Sequence, residues 1–366
     1  MDAQTSAISS RAVRIALCGL AACIVFSWDM WGMGNRSFPC LPVFGAAMEQ
    51  SGYLHAILFG GLSALLIGGI YNPRRAFPPA IVAMLLLMCA IDLNRLQPWT
   101  WFYVLILSIV VAGKTSAAVA LRWLLAAVYF WGGVNKLTPY FAEENFQWFC
   151  ELFEVTRFLG QYPVLGYIVA VFEIVLAVLL IVPQRKAWFG WIYVVFHGLI
   201  ILSLLKAHWN YVVIPWNAAM AALAVVLLFT PEPVRKFNTP QAVLLFLAGM
   251  MPLANLFHSW PHQLSWQLYS NTQPEAVFYS PAPCEKAGDI WREKSFDEGR
   301  RLLLDDWSGA SLGVPMFYSD HTFGQMARYL CDCIPEPDSG RLMILYVNPW
   351  DKNAERTTVI SCPEVK

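Results

Sequence analysis

Charge is what this chain has least of. Only 14% of its 366 residues are Asp, Glu, Lys or Arg. A soluble domain carries roughly a quarter. The two signs balance at 25 residues each, so the formal net charge is zero. No basic tract is present, which excludes nucleic acid as an expected partner. From His258 onward, Walker, Rossmann, zinc and nucleophile-elbow motifs are missing too, and no metal site is expected. No clear inverted repeat is visible, and the central polar residues are few, which argues against a transporter. The polar N-terminus, M-D-A-Q-T-S-A-I-S-S-R, runs into apolar sequence without a small-residue cleavage site. That first run is therefore expected to be a retained helix, not a signal peptide.

What is abundant is apolar sequence. Hydrophobic residues make up 57% of the chain, and the mean hydropathy is +0.49. Sixteen Trp and fourteen Tyr suit two aromatic belts at membrane interfaces. The composition predicts a polytopic membrane protein whose first partner is the lipid bilayer. A spanning helix needs about 20 apolar residues. Nine candidate spans fall near 13–33, 53–71, 78–93, 97–113, 117–136, 163–183, 187–206, 211–229 and 241–257. The third and fourth are short, and read either as two tilted spans or as a broken hairpin.

Basic residues orient these spans. Arg11 and Arg14, Arg74 and Arg75, Lys114, Arg185 and Lys186, and Arg235 and Lys236 collect on one side. Isolated Arg36, Arg95, Lys136, Arg157 and Lys206 fall on the other, diluted by Glu143, Glu144, Glu151 and Glu154. The positive-inside rule places the first set in the cytoplasm. Nine spans then give a cytoplasmic N-terminus and an outer C-terminus. Six cysteines, Cys40, Cys150, Cys284, Cys331, Cys333 and Cys362, lie on the predicted outer side. In an oxidising compartment they can form up to three disulfides, with the C-x-C pair Cys331 and Cys333 bonding to others. Free or metal-binding thiols are the alternative.

The expected fold is an all-α membrane bundle over 1–257, with a small outer α+β domain over 258–366. In the latter, Leu268–Ser280 and Leu342–Asn348 read as strands, and Phe296–Trp307 and Thr322–Cys331 as helices. Phe141–Gln161 reads as an amphipathic helix on the outer face.

Ionisable groups inside apolar spans mark candidate sites. They are Asp29, Asp92, Lys136, Glu173 and His197, with Arg95 just past a span end. Asp29, beside Trp28 and Trp31, reads as an interfacial residue. Asp92 and Arg95 are three apart and are expected to pair. Lys136 either snorkels to the headgroups or is a buried base. His197 is either tied to a neighbour or carries protons. Glu173, near mid-span, must be neutral or paired. Tyr129, Gly132, Gly133 and Lys136 share one helix face, and the glycines let a second helix approach it.

The segment Phe130–Phe141, F-W-G-G-V-N-K-L-T-P-Y-F, resembles the Gly-x-x-Lys-Leu signature of the horizontally transferred transmembrane domain (HTTM). That family includes vitamin K-dependent gamma-glutamyl carboxylase. Phe196-His197 is similar to its Phe-His pair, and Ile214-Pro215-Trp216 to its Pro-Trp. Asp92-x-x-Arg95-Leu96-Gln97-Pro98-Trp99 resembles a segment of bacterial relatives. The likeness covers about 90–230. It implies an outer-facing Lys136 that deprotonates a reduced quinone, with His197 as the matching histidine; in a carboxylase-like enzyme His197 and Glu173 are expected to tune or relay protons. It also implies a quinone held near Trp131, Gly133, Trp216 and Asn217. Asn135 stands where the carboxylase has a second lysine, and the C-terminal domain is far smaller.

The Lys-Leu motif followed by a span with a central Glu also resembles DoxX/MauE-type membrane proteins. Two functional readings follow. One is a carboxylase-like (carbon–carbon lyase) or quinone-linked enzyme acting on an apolar substrate at the outer leaflet. The other is a non-catalytic membrane component that holds an extracytoplasmic protein partner of a redox or secretion-associated complex. A bacterial inner membrane is the expected location.

Overall fold

In a computed structural model the chain is described over residues 3–32, 36–49, 52–72, 76–113, 117–182, 186, 188–228, 237–257, 259–293, 299–335 and 339–362. Arg74, Arg75, Lys114, Arg185, Arg235 and Lys236 of the basic loops lie outside these residues.

Apolar helices form wherever the hydropathy places them. They are α1 (Ala3–Phe26), followed by the short α2 (Trp28–Trp31), then α3 (Gly52–Tyr71), α4 (Phe77–Ile91) and α5 (Pro98–Ala112). Next come α6 (Ala117–Val134), a six-residue α7 (Phe146–Glu151), α8 (Pro163–Ile181), α9 (Trp188–Ala207), α10 (Val213–Leu228) and α11 (Thr239–Gly249). Proline at the start of α8 and α11 presets the first turn, where its missing N–H leaves no bond unmade.

Six of these stretches, among the described residues, are long and apolar enough to cross a membrane. They are Ser9–Phe26, Gly52–Tyr71, Ala117–Val134, Pro163–Ile181, Trp188–Ala207 and Thr239–Phe257. This is the helix set of a multi-pass membrane protein. The other three, α4, α5 and α10, have 15, 15 and 16 residues. At 1.5 Å per residue they reach roughly 22–24 Å, short of the roughly 30 Å hydrocarbon layer. Large apolar side chains stay exposed on the long helices. Ile168, Val171, Val175 and Val178 on α8, and Trp191, Val195, Leu199 and Leu202 on α9, are all exposed. Rows of this kind suit hydrocarbon and not water.

The chain divides into two compact units. The first comprises Met1–Phe26, Gly61–Leu85 and Pro98–Asn271. Within it, α6 packs along α8, α1 packs on α10, and α10 packs on α9. The glycine pair makes the first of these contacts possible. A Cβ on Gly133 would stand 2.6 Å from the carbonyl oxygen of Ala170 and 2.7 Å from Ile174 Cγ1.

The second unit comprises Ser27–Gly60, Leu86–Gln97 and Thr272–Lys366. It is built on an antiparallel sheet in the order β2-β3-β1-β4-β5. The strands are β1 (Glu275–Ser280), β2 (Arg292–Glu293), β3 (Arg300–Leu303), β4 (Arg341–Asn348) and β5 (Asp351–Ser361). Helices α12 (Leu304–Leu312) and α13 (Asp320–Cys333) complete it. Leu342, Ile344 and Tyr346 alternate inward along β4, toward a core with Phe278, Trp307, Phe323 and Met326. A reciprocal cap between Ser319 and Thr322 starts α13. Two disulfides, Cys284–Cys333 and Cys331–Cys362, fasten the far end of α13. Each member of the C-x-C pair therefore bonds elsewhere, while Cys40 and Cys150 are free thiols.

Several local expectations are corrected. Only Glu275–Ser280 of the expected strand 268–280 is extended. Trp266, Tyr269 and Asn271 have φ near +58°, +58° and +57°, which breaks a strand before it can start. In the stretch expected as helix 296–307, residues 294–298 lie outside the described set, and Arg300–Leu303 pairs with β1 before α12 begins. The expected helix 141–161 is three pieces: a π turn over Phe141–Asn145, α7, and a 3-10 turn over Arg157–Gln161. The Thr156 hydroxyl donates to the carbonyls of Cys150 and Phe153 and turns the chain out of the helix. The long β5 carries polar residues on both faces, and no pattern of alternation announces it.

Candidate functional site

The first unit buries two polar groups of side chains between apolar helices. The first joins α6 to α8. Lys136, just past the end of α6, lies 2.7 Å from Glu173 Oε2. Its ammonium also donates to the carbonyl of Gly132 at 3.0 Å. Both side chains are about nine-tenths buried, at 10% and 11% exposure. Gly132 has no side chain because Glu173 Oε1 occupies that space. The lysine ends its helix but does not snorkel to an exposed position. The apolar wall includes Phe141, whose ring centre is 6.0 Å from the ammonium.

The second group joins α6, α9 and α10. His197 Nδ1 is 2.8 Å from Asn217 Oδ1, and His197 Nε2 is 2.5 Å from the Tyr129 hydroxyl. The amide NH₂ of Asn217 donates to the Val213 carbonyl. That bond fixes the amide, so its oxygen must face the imidazole. Nδ1 therefore carries the proton and donates it to Asn217, and Nε2 accepts from Tyr129. The imidazole is neutral, with both nitrogens used. Tyr129 stands seven residues before Lys136, on the same face of α6. Glu173 acts electrostatically on Tyr129, so the two groups neighbour one another. Tyr193 lies against Tyr129, with ring centres 5.5 Å apart and the rings tilted at 59°, and donates to the Leu176 carbonyl at 2.7 Å.

The structure thus brings Lys136 to Glu173, and His197 to Asn217, as candidate residues of one helical layer. Other expected residues are placed elsewhere. Trp131 donates its indole N–H to the Gly249 carbonyl at 2.8 Å. Trp216 is buried with its ring 5.9 Å from that of Phe102. The space beside Gly133 is filled by the backbone of α8. Asn135 donates to the Ser265 carbonyl at 2.8 Å. Tyr129 is the residue that sequence reasoning left without a role, although its i, i+7 relation to Lys136 signals its place.

The second unit holds another buried charge cluster. Asp92 does not pair with Arg95, as their spacing suggested. It caps the turn Leu93–Arg95 and accepts from the backbone N–H groups of Asn94 and Leu41. Its ion-pair partner is Arg36, at 2.7 Å. Burial opposes the charge on Asp92, and Arg36, Arg95 and these donors hold it as a carboxylate. Arg95, fully buried, donates instead to the carbonyls of Met30 and Met88 at 3.1 and 3.2 Å. Burial lowers its pKa, and its Nη2 has no hydrogen-bond partner among the described residues. Asp29 is exposed.

Among the described residues, no three His, Cys, Asp or Glu side chains gather as a metal site. No protein-family model, curated protein or solved structure matches this chain.

Proposed function

We propose that the Lys136–Glu173 pair is a membrane-embedded base that acts on a weakly acidic, lipid-soluble substrate of the hydroquinone class. The observation that carries this reading is the 2.7 Å contact between two ionisable groups buried in apolar helices. Charged groups in such a place are expensive and are kept for pairing or for function. A substrate hydroxyl that enters from the bilayer beside this pair would find its proton acceptor in the Glu173 carboxylate, and the Lys136 ammonium would stabilise the anion formed. The neutral His197, with Tyr129 donating to it, would take up or pass on protons beside that pair. The HTTM likeness around Phe130–Phe141 supports the same assignment. In this reading the chain has nine spans and a cytoplasmic N-terminus. The sheet unit is extracytoplasmic, in the inner membrane of a bacterium. Its disulfides agree with an oxidising compartment.

A second reading has its own observation. Lys136 uses two of its three donors, one on Glu173 and one on the Gly132 carbonyl. A pair this well satisfied can simply bolt α6 to α8. That suits the non-catalytic, DoxX/MauE-like reading, in which the protein serves an extracytoplasmic partner.

Oxidation of a reduced naphthoquinone by dissolved O₂, which takes up its two electrons and two protons to give hydrogen peroxide, followed with the protein in nanodiscs, separates the two. Lys136→Ala alone leaves a buried carboxylate unpaired, which costs about 3–5 kcal/mol. The double variant Lys136→Met, Glu173→Leu removes both charges and should restore thermal stability. A base is indicated if that stable double variant is inactive while wild type turns over. Undiminished turnover in the double variant would sink the catalytic reading.

A further inference from the structure

Two disulfides leave the last turn of α13 side by side, and their surroundings differ. Cys331 and Cys362 are buried, at 2% and 0% exposure. Gly340 packs on that bond, and a Cβ there would stand 2.6 Å from Cys362 Sγ. The Cys284–Cys333 bond has one closed end and one open end. Cys284 is 0% exposed. Cys333, the last residue of α13, is half-buried and lines a cavity of about 170 Å³ in the second unit.

Thiol–disulfide exchange has a directional geometry. The attacking thiolate approaches along the S–S axis, from the side opposite the sulfur that leaves, so access decides which sulfur is attacked. Among the described residues the cavity is lined by Cys333 and not by Cys284. An incoming thiolate therefore meets Cys333, and Cys284 is the leaving group. The size suits a small thiol or a single cysteine side chain, since drug-sized ligands need roughly 300–1,000 Å³.

Charge on the wall acts on the same step. Arg328 and Lys286 line the cavity, and cations stabilise a thiolate. Lys286 is shared with Glu49, 2.7 Å away and outside the wall, so Arg328 supplies most of the positive field. Asp332, also on the wall, opposes it.

We propose that Cys284–Cys333 is a thiol–disulfide exchange site that accepts two electrons from a dithiol through this cavity. One thiolate of the dithiol attacks Cys333 Sγ. The Cys284–Cys333 bond breaks, and Cys284 leaves as a thiolate and takes up a proton from solvent. The second thiolate of the dithiol then attacks the dithiol's first sulfur in the mixed disulfide. That step closes the dithiol's own disulfide and releases Cys333 as a thiolate, which is protonated in turn. The dithiol is oxidised by two electrons and the Cys284–Cys333 bond is reduced by two. The Lys136–Glu173 pair takes no part.

Alkylation and peptide mass spectrometry of the folded full chain in detergent, after timed exposure to dithiothreitol, test this. Cys284–Cys333 should open at least about tenfold faster than Cys331–Cys362. Glutathione, a monothiol, should be captured as a mixed disulfide on Cys333 and not on Cys284. Arg328 and Asp332 are exposed, so Arg328→Gln and Asp332→Asn should keep the wild-type melting temperature. Arg328→Gln should slow the opening by about threefold or more, and Asp332→Asn should speed it by a similar factor. Equal rates for the two bonds, as global unfolding would give, would overturn the proposal. So would glutathione captured on Cys284, or opening rates that stay fixed or shift together in the two variants.

Discussion

A lysine and a carboxylate that lie 37 positions apart in sequence make a buried ion pair in the helical unit. Each was visible alone, because an ionisable residue stands out in an apolar run. Their pairing was not visible. It depends on how α6 and α8 cross, and no local spacing encodes that. The opposite held for Asp92 and Arg95, where local spacing suggested a pair. The backbone turn claimed Asp92 as a cap and delivered it to Arg36 instead. His197 and Asn217 were legible as polar residues in spans, yet the tautomer follows only from the bond between Asn217 and Val213.

Asp305 carries a prediction at the same scale. It accepts from the Tyr318 hydroxyl at 2.7 Å, and its other oxygen has no hydrogen-bond partner among the described residues. Burial raises its carboxyl from 3.8 to about 6. The folded state therefore binds this proton more tightly than the unfolded chain does. Its contribution to stability is fully present below pH 3.8 and is lost as pH rises through about 6. Thermal melts from pH 4 to pH 7 should show wild type losing stability relative to Asp305→Asn. Parallel curves for the two proteins would contradict the assignment.

Among elements, the α6–α8 contact rests on Gly133. An alanine Cβ there would press on the backbone of α8, which cannot yield as a side-chain tip can. Gly133→Ala should lower stability by about 1–3 kcal/mol, read as a lower melting temperature in detergent. Gly198, where an added methyl group would meet nothing within 4 Å, should accept alanine without loss. Equal effects at both positions would show that close approach is not what Gly133 provides. Helix positions were legible because twenty-residue apolar runs are a strong signal. The breaks were not. Ser27 separates α1 from α2, and Thr156, bonding back to carbonyls, ends the helical run that follows α6. Strand β5 escaped notice because its residues are mostly exposed and polar, and it is defined by pairing with β4.

For the whole molecule, composition alone indicated a membrane protein, and six long apolar helices agree with it. The division into units was less legible, since Ser27–Gly60 and Leu86–Gln97 join the C-terminal sheet unit through contacts distant in sequence. The two disulfides close separations of 49 and 31 residues within that unit. Replacing Cys284 and Cys333 together by serine should cost about 2–4 kcal/mol. A melt of the sheet unit, followed by proteolysis, would detect it. No shift would mean that the bond does not constrain the unfolded chain.

Under the proposed function, the buried Lys136–Glu173 pair serves a lipid-soluble hydroquinone. Mass spectrometry of lipids and quinones retained after gentle purification tests it most directly. The account predicts a specific quinone kept by wild type and lost from the stable Lys136→Met, Glu173→Leu variant. A preparation free of quinone, or one that keeps it equally in both proteins, would contradict it.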